Sequence, residues 1–63
     1  MRIDRVKFAA AMARLDLNGK QLVEKSGVSR VTVSAVKGGK SCSKETAEKL
    51  AAVLGNEILE GGN

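Results

Sequence analysis

Apolar residues recur along the chain at spacings of three and four, the spacing that places side chains on one face of an α-helix. No stretch alternates with a period of two for long enough to favour a strand, apart from Val28–Val33. We interpret that stretch as helical because Ser29 is a good N-cap and Val33 and Val36 lie about one turn apart. A lone short strand would also have no partner. The pattern therefore predicts an all-α fold.

Glycines and capping residues divide the pattern into four helices, because glycine accepts the conformations that end helices. The predicted helices, each with its flanking cap, run from Asp4 to about Leu15, from Asn18 to Gly27, from Ser29 to Lys37 and from Ser43 to Gly55. Residues 56–60 add one more turn, and residues 61–63 are expected to fray. The predicted inward-facing residues are Phe8, Ala11, Met12 and Leu15, then Leu22 and Val23, then Val33 and Val36, and finally Ala47, Leu50, Ala51 and Leu54.

Length and composition then limit the function classes. A chain of 63 residues has room for one domain, which we expect to span residues 1–63. With one cysteine (Cys42) and no histidine, it has neither an internal disulfide nor a zinc site, which indicates a reducing cytoplasm. No apolar run reaches the roughly 18 residues of a membrane span. We expect no metal, cofactor or small-molecule ligand.

Catalysis is not expected either. The chain has no histidine, no tyrosine and no glycine-rich phosphate loop of the P-loop type. Glu45 and Glu48 lie three apart, like a catalytic carboxylate pair, but no nucleophile accompanies them, and solvated helix acids are the simpler reading. The sequence therefore favours a binding protein over an enzyme.

Positive charge is concentrated in the middle of the chain. The net charge is +4, with 11 basic and seven acidic residues. Residues 18–44 contain six bases and one acid (+5), whereas residues 45–63 contain one base and four acids (−3). This distribution indicates an anionic partner that meets the middle third of the chain. Stacking on single strands or RNA is not favoured, because the only aromatic, Phe8, is predicted to face inward.

The segment 19–38, GKQLVEKSGVSRVTVSAVKG, has the pattern of a helix-turn-helix, in which two short helices meet at a glycine turn. Leu22, Val28, Val33 and Val36 can face inward together while Arg30 stays outside. Over about residues 3–60 the chain resembles the lambda-repressor-like (Cro/C1, or Xre) DNA-binding family. The motifs that carry the resemblance are Leu17-Asn18, Leu22 through Ser29, Thr32-Val33-Ser34, Lys37 through Lys40, Lys49-Leu50-Ala51 and Leu54-Gly55.

The resemblance implies a compact domain of four to five helices whose third helix enters the major groove of DNA. Positions that contact bases in the family are held here by Arg30, Val31 and Ser34, with Thr32 close to them. Positions that contact phosphate correspond to Ser29, Lys37, the backbone N–H groups around Gly39, and Lys40, with Lys20 and Lys44 as flanking contacts. For Arg30 and the lysines, the alternative is an ordinary solvated surface.

The sequence departs from the family pattern at three places. Gly19 stands where the family usually has a glutamine that touches the DNA backbone, and Val23 stands where it usually has alanine. Met12 and Lys37 replace an arginine and a glutamate that pair in many relatives. Since both partners are replaced together, no buried charge is left unpaired, and Lys37 is available for phosphate.

Two function classes remain. The first is a sequence-specific transcriptional regulator of a bacterium, phage or mobile element, and we expect a repressor that blocks a promoter by occupying its operator. The alternative is a protein-interaction module of the same fold, such as an antitoxin or an anti-regulator. The charge around helix three favours the first. A homodimer on two half-sites is expected, with Val53, Ile58 and Leu59 as its contact surface.

Overall fold

The computed structural model of the protein describes residues 2–60. The predicted fraying of residues 61–63 lies outside this range. Four α-helices follow one another: α1 (Arg5–Arg14), α2 (Gly19–Ser26), α3 (Arg30–Lys37) and α4 (Lys44–Leu54), before a 3₁₀ turn at Asn56–Ile58. No strand occurs within the described range, and the predicted all-α fold is confirmed.

Each helix begins at a side chain that accepts hydrogen bonds from the first turn, as the sequence predicts. The Asp4 carboxylate accepts the N–H groups of Val6 and Lys7 at 2.9 and 3.1 Å. Asn18 and Gln21 form a reciprocal capping box, with bonds of 2.8 and 3.0 Å. Ser29 and Ser43 cap α3 and α4 in the same way. These bonds use N–H groups that have no partner inside a helix, so they set where each helix starts.

The helices pack around one apolar core that contains no buried polar or charged residue among residues 2–60. α2 contacts α3 and α4, while α1 contacts α3, α4 and the 3₁₀ turn. The buried residues are Ile3, Phe8, Ala11, Met12, Leu22, Val28, Val33, Val36, Ala47, Leu50, Ala51, Leu54 and Ile58. Burial of this apolar surface is the main source of stability, at roughly 25 cal/mol per Å².

Two predicted positions are corrected. Leu15 is 40% exposed, because it follows the last residue of α1, Arg14. The chain then turns at Asp16, which has a φ of 55°. Leu17, whose N–H donates to the Met12 carbonyl at 2.9 Å, packs against the core instead. Ile58 is fully buried, so it cannot form part of the predicted dimer surface. Val53 and Leu59 are half-buried and also pack against the core.

An antiparallel bridge between Ile3 and Leu59 joins the two ends of the described chain. The Asp4 N–H donates to the Ile58 carbonyl at 2.8 Å, and the Glu60 N–H donates to the Arg2 carbonyl at 3.1 Å. The sequence did not predict this contact. It fixes the backbone that leads into α1.

Candidate nucleic-acid interface

One edge of α3 faces outward while the opposite side of the helix is buried. Val33 and Val36 are 4% and 0% exposed and hold the inner side of α3 in the core. Arg30, Val31 and Ser34 are exposed, and Val31 is 80% exposed. We call these three residues the α3 edge. The predicted base-contacting positions Arg30, Val31 and Ser34 therefore lie together on one accessible helix edge.

Thr32 is set back from this edge. Its side chain is half-buried, and its Oγ1 accepts a hydrogen bond from Ser29 Oγ at 2.9 Å. Its backbone N–H donates to the same Ser29 oxygen at 3.3 Å. Thr32 and Ser29 thus form the cap of α3, and the Ser29 hydroxyl hydrogen is already used there. Because the Thr32 N–H is also used in this cap, a phosphate near Ser29 would meet the amides of Arg30 and Val31, which have no carbonyl partner within the helix.

Shallow depressions lie on both sides of the α3 edge. The first has a volume of about 540 Å³ and is lined by Arg30, Val31, Ser34, Ala35, Gly38 and Lys40. The second has a volume of about 380 Å³ and is lined by Asn18, Gly19, Lys20, Arg30, Val33, Ser34 and Lys37. Arg30 and Ser34 border both, and neither lining includes an acid. A smaller depression beside Arg30 and Lys20 does include one, Glu24.

The cations around α3 are free of ion pairs within the described residues. The two salt bridges there are Arg14 to Glu57, at 2.8 Å, and Lys49 to Glu45, at 3.4 Å, and neither involves a predicted phosphate-contacting residue. The predicted contacts Lys20, Lys37 and Lys40 line the two depressions. Lys44 is exposed at the start of α4 but lines neither of them. Unpaired exposed charge of one sign attracts a polyanion.

The predicted phosphate contact through free amides around Gly39 is corrected. The Gly38 N–H donates to the carbonyls of Ser34 and Ala35, the Gly39 N–H to Val36 at 2.9 Å, and the Lys40 N–H to Ala35 at 3.0 Å. These bonds close the end of α3, so the three amides point back into the helix. Gly39, at φ 94°, turns the chain there, and the Lys40 side chain remains as the predicted phosphate contact of this turn.

The sequence did not predict the role of two cations near the start of α1, Arg2 and Arg5. An ideal Cβ on Gly39 would lie 3.6 Å from the Cδ atom of Arg5, which places the Arg5 side chain beside the turn after α3. Arg2 and Arg5 also line a depression of about 410 Å³ together with Gly38 and Gly39. The only signal in the sequence was the excess of bases over acids in residues 1–17, which does not reveal this neighbourhood.

Comparisons of the chain with models of known protein families, with curated proteins and with solved structures found no match. The resemblance to the lambda-repressor-like family therefore stays a prediction from the residues. Within residues 2–60, none of the helices has the length and hydropathy needed to cross a bilayer. Function must be argued from the geometry and the charge of the α3 surface.

Proposed function

We propose that the protein is a sequence-specific regulator of transcription that binds double-stranded DNA through a helix-turn-helix formed by α2 and α3. The observation that carries this proposal is the α3 edge, exposed and flanked by two basic depressions without acids. An α-helix is about 10–12 Å across with its side chains, and the major groove is about 12 Å wide. Insertion of the α3 edge into that groove would bring the flanking lysines toward the phosphates on either side.

The geometry between α2 and α3 supports the helix-turn-helix. Residues 27–29 join the two helices, and Gly27 adopts the left-handed conformation at φ 74°. Leu22 of α2 and Val28 of the turn are buried in the same core as the inner face of α3. In a helix-turn-helix, a short connection of this kind lets one helix be presented while the other supports it.

Each exposed residue then has a chemical role. Arg30 can donate two hydrogen bonds to O6 and N7 of guanine, and the Val31 methyl groups can pack against the methyl group of thymine. Ser34 can donate to or accept from a base edge. Thr32 lies in the cap behind this edge, and we keep it as a predicted contact with an adjacent sugar or base. Lys20, Lys37, Lys40 and Lys44 would contact phosphates, which position the protein without reading sequence.

Duplex DNA is favoured over single strands or RNA loops. Recognition of unpaired bases uses exposed aromatic side chains on which the bases stack. Phe8 is the only aromatic residue in the chain, and it is fully buried. The surface around α3 therefore offers charge and hydrogen bonds but no stacking platform.

A second copy is part of the proposal. The Cα trace extends 26 Å along its longest axis, which is less than the roughly 34 Å between half-sites one DNA turn apart. One copy of the protein would therefore contact one segment of the groove, and a symmetric operator would bind two copies. A protein bound at such an operator would block the promoter directly, which favours a repressor over an activator.

The test is selection of bound duplexes from a random pool, followed by affinity measurements with two variants. Arg30→Ala should weaken binding to the selected duplex by about 1–3 kcal/mol and relax the preference at one base position. Lys40→Ala should weaken all duplexes alike and lower the dependence of log affinity on log salt by about one. Lys25→Ala is the matched control, because Lys25 lines a depression with Leu15, Leu17 and Val53 rather than with α3.

The selection should also return a symmetric pair of half-sites. A pool without enrichment would contradict the proposal. Equal losses for Arg30→Ala on selected and random duplexes would show that Arg30 does not read a base.

A further inference from the structure

The bridge between Ile3 and Leu59 gives the N-terminal cations a fixed starting point. The Arg2 carbonyl and the Asp4 N–H are both bonded to the segment after α4, and Ile3 between them is only 3% exposed. Arg5 follows directly as the first residue of α1. The two guanidinium groups therefore extend from backbone that is part of the fold, rather than from a loose arm.

This segment lies beside the turn that ends α3. Arg5 Cδ lies 3.6 Å from the position that a Cβ on Gly39 would take. Gly38 borders both the depression lined by Arg5 and the depression beside the α3 edge. The two depressions thus meet at Gly38, and Arg5 and Arg2 lie on the far side of this turn from Arg30 and Lys40. A Cβ at position 39 would lie at van der Waals distance from Arg5 Cδ, so the Arg5 side chain lies directly beside this turn.

The charges of Arg2 and Arg5 are available to a partner. Arg2 and Arg5 are exposed, and neither forms a salt bridge with any residue in the range 2–60. Two acids, Asp4 and Glu60, border the same depression. The Asp4 carboxylate is engaged by two N–H groups at the start of α1, which stabilise its charge locally. A guanidinium group binds phosphate oxygens with two parallel hydrogen bonds, so arginine suits this contact.

We propose that Arg5, assisted by Arg2, binds a DNA phosphate outside the base pairs read by the α3 edge and so extends the footprint along the duplex. This inference rests on the proposed DNA-binding function. It predicts that affinity depends on base pairs that flank the recognised site, regardless of their sequence.

The experiment compares two duplexes that carry the selected site, one ending at the site and one extended by about ten base pairs, one helical turn, on each side. On the long duplex, Arg5→Gln should weaken binding several-fold and lower the salt dependence of log affinity by about one. On the short duplex it should bind like the unmodified protein. Arg5→Lys should keep most of the salt dependence. Lys7→Gln is the control, since Lys7 is exposed on the same helix but does not line the depression.

Three results are distinguishable. A several-fold loss for Arg5→Gln that appears only on the long duplex supports the inference. Equal affinities for Arg5→Gln and Lys7→Gln on the long duplex overturn it while leaving the DNA-binding proposal intact. If the unmodified protein binds neither duplex, both proposals fail.

Discussion

Gly27 controls the geometry between α2 and α3 through a single backbone conformation. It lies at φ 74° after the last residue of α2, and its N–H donates to the Val23 carbonyl at 2.9 Å. An ideal Cβ built at this position meets nothing within 4 Å. Glycine is therefore needed for its conformation, because a residue with a Cβ is strained at this positive φ even where space is open.

Substitutions at the glycines at the two ends of α2 test this point. Gly27→Ala should lower the free energy of unfolding by about 1–2 kcal/mol, because alanine is strained in the left-handed region. Gly19→Ala should leave it unchanged or raise it by up to about 1 kcal/mol, since Gly19 lies in the first turn of α2 with open space around it. Urea denaturation of both variants measures the difference. Effects of the same sign would contradict this explanation.

At the scale of the elements, α2 and α3 are each only eight residues long, and isolated helices of that length are not stable in water. Their caps and their packing against the core therefore have to provide the stability that eight residues alone do not. The Asn18 side chain accepts the Gln21 N–H in the first turn of α2, and the Ser29 side chain accepts the Thr32 N–H in the first turn of α3. The orientation of the α3 edge thus depends on local hydrogen bonds as well as on the buried valines.

Removal of the Asn18 cap tests how much α2 depends on it. Asn18→Ala should lower the free energy of unfolding by about 1 kcal/mol, because the Gln21 N–H loses its acceptor. Asn18→Asp keeps an acceptor oxygen at the same place and should retain most of the stability. Denaturation midpoints compare the two variants. Equal losses would mean that the side-chain cap is not what stabilises α2.

The helix starts could be predicted from the sequence, whereas the contact between the two ends of the chain could not. Caps and glycine stops act between residues a few positions apart, so the starts of α2, α3 and α4 were predictable. The bridge between Ile3 and Leu59 joins the two ends of the chain, and no local pattern indicates such a pairing. The same tertiary contact explains why Ile58 was wrongly assigned to an exposed dimer surface. It also explains why Arg5 was missed beside Gly39.

On the scale of the whole molecule, apolar packing and surface charge are separated. The core among residues 2–60 contains no polar side chain, while the two salt bridges there are exposed. The unpaired cations Lys20, Arg30 and Lys40 instead surround the α3 edge. Stability is therefore expected to come from the core, and the charges near α3 are left for a partner.

Two variants compare these contributions. Leu50→Ala should cost about 2–5 kcal/mol, because Leu50 is fully buried, and a domain of 63 residues has only about 3–9 kcal/mol in total. Glu57→Gln should cost less than about 1 kcal/mol, since its side chain is 58% exposed and that of Arg14 is 60% exposed. Thermal and urea denaturation measure both. A larger loss for Glu57→Gln would reverse this assignment.

The most direct measurement is an NMR titration of the labelled protein with the duplex obtained by selection. We expect the largest backbone amide shifts at residues 29–34 and 38–40 and near Lys20, while those of Leu15, Leu17 and Val53 stay nearly constant. Shifts concentrated at Leu15, Leu17 and Val53, or none around α3 at saturating duplex, would contradict the claim that the α3 edge binds DNA.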